Sequence, residues 1–162
     1  MTLEYDNARS KYLSSLKVLK TPLICWDFYT SYENDFLLFN KIQKKWTEKI
    51  DFLKETNKNS FQILITDAKF KIIFASEGLF GMNGYQPFEV IGKSPSIFQG
   101  LKTSEKTKKS IKEALINHAP FKEFILNYKK NGETYWCEIE AYPKFDNQGN
   151  FLNYIAFEKI AA

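Results

Sequence analysis

Residues 121–159 read FKEFILNYKKNGETYWCEIEAYPKFDNQGNFLNYIAFEK. Three apolar-rich segments are separated here by two turn signals, Asn131-Gly132 and Asp146-Asn147-Gln148-Gly149. Asn-Gly supplies the left-handed backbone that tight hairpins need, so the stretch predicts an antiparallel meander. Its strands are FKEFILNYKK (121–130), ETYWCEIEAYP (133–143) and FLNYIAFEK (151–159). Side chains alternate across a strand. One face of the meander therefore carries Ile125, Asn127, Tyr135, Cys137, Ile139, Ala141, Tyr154, Ala156 and Glu158. The other carries Phe124, Leu126, Tyr128, Trp136, Phe151, Ile155 and Phe157. Both faces are apolar, so each needs a cover.

Moving toward the N-terminus, Thr103 or Ser104 caps a helix that runs through Ile116, with Thr107, Ile111, Ala114 and Leu115 on its buried face. Asn117 and Pro120 end it. Shorter helical pieces fall at EGLFGMNGY (77–85) and PFEVIG (87–92), with Pro87 suited to a first turn. FQILIT (61–66) and KIIFAS (71–76) form a hairpin around Asp67 to Lys69. Two strands, short helices and three more strands predict an α+β fold, a five-stranded antiparallel sheet with short helices on one face.

Before residue 60 the apolar period is helical. Tyr12, Leu16 and Leu19 share one face of a first helix, which Thr21-Pro22 interrupts. Phe39, Ile42, Trp46, Ile50 and Leu53 form the stripe of a second. ETNKNS (55–60) is a polar breaker. The chain therefore divides into a helical cap, 1–58, and a sheet domain, 59–162. The cap is the expected cover for the second sheet face, from the same chain or from a second subunit of a homodimer.

The 162 residues are 44% hydrophobic, 26% charged and 17% aromatic, which suits a globular protein with an aromatic-rich core. No apolar run approaches a membrane span and no secretory leader opens the chain, so the expectation is cytoplasmic, with no membrane partner. The net charge of +4 raises nucleic acid as a partner. Lysine supplies almost all of it, the sole arginine being Arg9, and Lys106 to Lys112 reads as the wet face of a helix. Nucleic acid is therefore not expected. Cys25 and Cys137 lie far apart and read as small buried hydrophobes. One histidine, His118, leaves no Cys/His zinc site. No GxSxG, P-loop, HExxH or dinucleotide turn is present, so an enzyme is not expected. Residue 162 directly follows the last strand, so no output domain is expected on this chain.

The markers ITD (65–67), IIFASEGLFGMNGYQPFEVIGKSPSIFQG (72–100) and FILNYKKNGETYWCEIEAYPKFDNQGNFLNYIAFEK (124–159) resemble the PAS family. The likeness covers about residues 61 to 160 and implies a PAS-like sheet and a role in sensing or signal transduction. Within the family the chain is most similar to the LOV class of flavin blue-light receptors. In that class the turn at GKSPSIFQG (92–100) carries a cysteine that bonds to the flavin and an arginine that holds its phosphate. Here Pro95 and Ser96 stand at those places, so the adduct chemistry is absent. Gln99 matches the class, and Asn127 matches an asparagine that bonds the flavin ring. Cys137 replaces the second asparagine, Glu158 replaces the signalling glutamine, and Lys109 stands at the second phosphate arginine. The resemblance thus implies Asn127, Gln99, Cys137 and Glu158 as pocket-lining residues. Two functions stay open. One is a sensory or interaction module that takes a small-molecule ligand or a signalling protein. The other is a cysteine-less, LOV-like photoreceptor or redox sensor that binds flavin mononucleotide (FMN). Some PAS domains hold haem through a histidine on this helix, which gives His118 a lesser reading as a haem ligand.

Overall fold

The computed structural model describes residues 34–58 and 61–161, which fall in one compact unit. The expected helix through Tyr12, Leu16 and Leu19, and Cys25, lie outside the described residues.

Strands β1 (Gln62–Thr66), β2 (Ile72–Ala75), β3 (Phe121–Tyr128), β4 (Thr134–Phe145) and β5 (Phe151–Ile160) form one antiparallel sheet in the order β2-β1-β5-β4-β3. All five expected strands are present within one or two residues of their bounds. Each turn has a specific cause. The Asp67 carboxylate accepts from the N–H groups of Lys69 and Lys71 at 2.8 and 2.9 Å, closing β1 onto β2. Gly132 takes φ 90° between β3 and β4. Asp146 accepts from Gln148 and Asn150, each at 2.9 Å, between β4 and β5.

Helical backbone over 34–42, here α1, precedes the sheet. Between β2 and β3 lie α2 (Leu79–Asn83), α3 (Pro87–Val90), a 3-10 turn at Pro95–Phe98 and α4 (Glu105–Ile116). Glu89 reaches back to the Gln86 N–H at 2.9 Å, with Pro87 at the first helical position. Ser104, one of the two expected caps, accepts from Thr107 N–H at 3.3 Å. Thr103 instead ties the preceding loop to the sheet: its hydroxyl donates to Leu126 C=O at 2.7 Å and accepts from Gly100 N–H at 2.9 Å.

Two cores flank the sheet. Leu64, Ile72, Leu79, Val90, Phe98, Ile125 and Cys137 pack on the side of α2 to α4. Ile63, Ile65, Phe74, Ile155 and Phe157 pack on the other side against Phe39, Trp46 and Phe52 of the N-terminal segment. The same chain thus covers the second face, as far as β1, β2 and β5. Over β3 and β4 that face stays open, with Phe124 and Trp136 about half exposed.

Two expectations are corrected. The stripe from Phe39 to Leu53 is not one helix. α1 tightens into a 3-10 turn at Gln43–Lys45, and Trp46 is extended at ψ 140°. The chain becomes helical again at 52, passing into a π-helical turn at Lys54–Lys58. The break shifts the register, so Phe52 is buried and Leu53 is exposed. Its cause lies in the sheet: Trp46 Nε1 donates to Asn153 Oδ1 at 2.9 Å and Thr47 N–H donates to Phe145 C=O at 3.0 Å. The second correction is Phe151. A register irregularity at Lys144/Phe145 ends simple alternation. The Phe151 ring stacks on His118 at 4.1 Å instead of joining the outer core.

Candidate functional site

A cavity of about 370 Å³ lies between the inner sheet face and α4. Its sheet wall is Leu64, Thr66, Ile125, Asn127, Ile139, Ala141, Tyr154, Ala156 and Glu158. Lys108, Ile111, Lys112 and Leu115 of α4 form the opposite wall, and Ser94, Pro95, Ser96, Phe98 and Gln99 close one side. The volume falls within the range of sites for small molecules. α4 has no fully buried residue: Ile111 and Leu115 of its apolar face border this space, with Ile111 also touching the inner core.

The turn at 92–100 is shaped by its proline. Ser94 is extended at φ −76°, ψ 144°, and Pro95 opens the 3-10 turn, as the restriction on a residue before proline dictates. Pro95 and Ser96 both line the cavity, so the turn is kept as a wall but offers no thiol.

The four expected pocket residues separate. Asn127, Gln99 and Glu158 line the cavity together, although they come from β3, the 3-10 turn and β5. Cys137 sits behind Glu158, fully buried, and is not part of the cavity wall. Burial, together with the neighbouring Glu158 charge, pushes its thiol far above the usual range, so it is a neutral core residue. His118 lies outside the cavity lining, exposed at the end of α4 with φ 47°.

The polar groups of the wall are short of partners. Among the described residues, Asn127 Oδ1 and Thr66 Oγ1 are buried without a hydrogen bond. Tyr135 Oη and Asn83 Nδ2, deeper in the core, also lack a well-aligned hydrogen bond, although the Asn83 and Asn127 amides lie close enough to the phenol to favour its ionised form. Glu158 is 3% exposed, and its one described polar contact is the Cys137 thiol, 3.8 Å from Oε2. Burial raises its pKa from 4.5 to about 7, while the thiol acts weakly in the other direction. Near neutral pH the wall therefore presents an acid poised between its two forms.

The lysines were only partly legible. Lys109 is mostly exposed and pairs with Glu113 at 3.9 Å. Lys108 and Lys112 face the cavity instead, and Lys108 also pairs with Glu105 at 2.5 Å. Their signal in the sequence is spacing: positions 108, 111, 112 and 115 share one helix face. Among the described residues no group of histidine, cysteine and carboxylate side chains could hold a metal ion, and no helix is long and apolar enough to cross a membrane.

The chain is similar to known proteins over about half of its length. Protein TWIN LOV 1 of Arabidopsis thaliana is 35% identical over 88 residues, 54% of this chain and 22% of that protein. Phototropin-2 of Oryza sativa subsp. japonica is 34% identical over 87 residues, 54% of this chain and 10% of that protein. The chain thus spans less than a quarter of the length of these relatives. Among solved structures, one reported as "Flavin Analogue Sheds Light on Light-Oxygen-Voltage Domain Mechanism" superposes with a TM-score of 0.64 at 25% identity, covering 70% of this chain and 87% of the other. The dark structure of the blue-light photoreceptor Aureochrome1 LOV gives 0.63 at 25% identity, covering 71% and 87%. A family model for the PAS domain matches residues 60–159. That span starts just before β1 and runs into β5, taking in the whole sheet and everything folded between its strands, and the chain belongs to the PAS domain family.

Proposed function

We propose that this chain is a sensory module that holds a small heteroaromatic ligand in its inner cavity without a covalent bond, with flavin mononucleotide as the ligand of choice. The observation that carries the reading is Asn127. Its amide oxygen is buried, has no hydrogen-bond partner among the described residues, and belongs to a residue lining a cavity of ligand size. Buried polar groups are satisfied in native proteins, so a donor from a ligand is the natural complement.

The residues fit FMN in three places. Asn127 and Gln99 face the space a ring would fill. Lys108 and Lys112 offer positive charge for a phosphate from the α4 wall. Glu158 fits a ring carbonyl as a neutral acid, which donates a proton, and repels it as a carboxylate. Bound flavin would supply absorption of blue light and redox chemistry. The chain would orient it, exclude water and pass any change through β5, whose other face packs on Phe39 and Phe52 of the cap. The division into a cap, 1–58, and a PAS domain, 59–162, belongs to this reading. The LOV-type relatives support it.

The test is uptake. The protein is incubated with FMN, desalted and examined by absorption. Retained flavin bands, weakened in Asn127→Ala, support the reading. Loss of all flavin on desalting, with no shift of the melting temperature at saturating FMN, overturns it.

A second reading concerns self-association. Phe124, Trp136 and Tyr142 are partly exposed on the outer face of β3 and β4, on either side of Lys122, Glu138, Glu140 and Lys159. Lys122 contacts both Glu138, at 2.7 Å, and Glu140, and Lys159 reaches Glu138 at 3.2 Å. We assign this face to a homodimer contact in which the aromatic side chains flank a central, internally paired charge cluster. Light scattering should show a dimer that Trp136→Ser dissociates; a wild-type monomer at high concentration would contradict it.

A further inference from the structure

We propose that Glu158 couples occupancy of the inner cavity to a proton: the cavity accepts an acceptor-bearing ring while Glu158 is the neutral acid and loses it when the carboxyl ionises. The inference rests on the flavin reading of the cavity. It departs from the glutamine expected at this position, because an amide cannot titrate.

The geometry is that of a buried carboxyl with no counter-ion among the described residues. Glu158 is paired across the sheet with Gln62 of β1 and Ile139 of β4. The Gln62 side-chain oxygen accepts from Ser76 Oγ at 3.0 Å. From β4 the Cys137 thiol approaches to 3.8 Å, and the Tyr135 phenol is near enough for the Glu158 charge to raise its pKa. From α4, Lys108 and Lys112 face the same cavity, yet neither is within ion-pair distance of Glu158. Gln99, just past the 3-10 turn, and Asn127 and Thr66 of the sheet are the uncharged polar side chains that line the same cavity.

An ionised carboxylate so enclosed loses hydration without gaining a partner. An incoming ring carbonyl or ring nitrogen decides between the two forms. The neutral acid donates a hydrogen bond to it, while the carboxylate sets acceptor against acceptor. Burying the ring also removes whatever water still reaches the carboxyl, which favours the neutral form further. By linkage, a ligand that binds only the protonated form takes up a proton, and its affinity falls about tenfold per pH unit above the pKa of the ligand-free acid. Cys137 and Tyr135 are both pushed upward, so they stay neutral over that range.

The experiment titrates FMN and, in parallel, riboflavin into the full chain and into Glu158→Gln at a series of pH values, following flavin fluorescence. Riboflavin lacks the phosphate, whose own ionisation near pH 6 affects both proteins alike. Melting curves at each pH establish that both proteins are folded. Wild type should lose affinity about tenfold per pH unit above neutrality, and Glu158→Gln should be flat with riboflavin. Equal slopes in the two proteins, or no slope in either, would overturn the proton coupling and leave the flavin reading intact. Binding by Glu158→Gln with none by wild type at any pH would overturn it too, since Glu158 would then exclude the ring in both forms. Failure of both proteins to bind at any pH would remove the flavin reading and the coupling together.

Discussion

Glu158 and Asn127 hold the chemistry of the site at the scale of single residues. The folded protein binds the Glu158 proton more tightly than the unfolded chain does, with a pKa of about 7 against 4.5. Between those values the folded state keeps the proton and the unfolded state releases it, so stability declines as pH rises through this window and levels off above it. A shift of this size corresponds to about 3 kcal/mol at full development. Glu158→Gln should remove that decline, so urea denaturation at pH 8 should find the variant more stable than wild type, with the gap closing by pH 5. Asp35, raised to about 6 by burial where it accepts from Glu77 N–H at 2.7 Å, adds a smaller decline of the same sign that survives in the variant. Asn127→Ala should behave differently. Its amide oxygen has no hydrogen-bond partner among the described residues, so the stability lost should be limited to the amide's approach to the Tyr135 phenol, while FMN affinity should drop roughly tenfold, the worth of about one buried hydrogen bond. The inward placement of both residues was legible from strand alternation. The raised pKa of Glu158 was not, because it depends on which cations approach, and Lys108 and Lys112 come from an element remote in sequence.

Among the elements, strands were legible and the cap was not. Strand bounds follow from local causes: an Asn-Gly turn, the Asp67 and Asp146 carboxylates and a period of two. The cap fails where a tertiary bond intervenes. Trp46 looks like the next member of a helical stripe, but its indole N–H is claimed by Asn153 on β5, and the backbone straightens to reach it. The corrected register makes a sharp prediction. Phe52→Ala, which empties a site beside Phe39 and Phe74, should cost about 3–5 kcal/mol. The adjacent Leu53→Ala, at an exposed position, should cost less than about 1 kcal/mol. A continuous helix through Leu53 would reverse the order. For α4 the spacing marks an inward face, and that face borders a cavity as well as the core. Periodicity reports which side faces inward but not how far the opposite wall stands.

For the whole molecule, the apolar character of both sheet faces was the most informative feature of the sequence. One face becomes a core that opens into a cavity, and the other is covered over β1, β2 and β5 by residues from the N-terminal segment. The two cores meet through the sheet: Glu158 looks into the cavity and its neighbour Phe157 packs on the opposite side with Ile63 and Ile155. A change of ligand or proton at Glu158 therefore sits one residue from the contacts of the cap, which gives the module a short path between sensing and response. The occupant was less legible than the architecture, since Pro95 removes the reactive group of the LOV turn while Gln99 and Asn127 keep its lining. The central claim is a cavity that holds its ligand without a covalent bond. Native mass spectrometry of the protein loaded with FMN, before and after blue light and again under denaturing conditions, tests it most directly. The account predicts one FMN per chain in the native spectrum and the bare chain mass after denaturation, with or without light. No bound FMN in the native spectrum, or FMN that stays attached to the denatured chain, would contradict it.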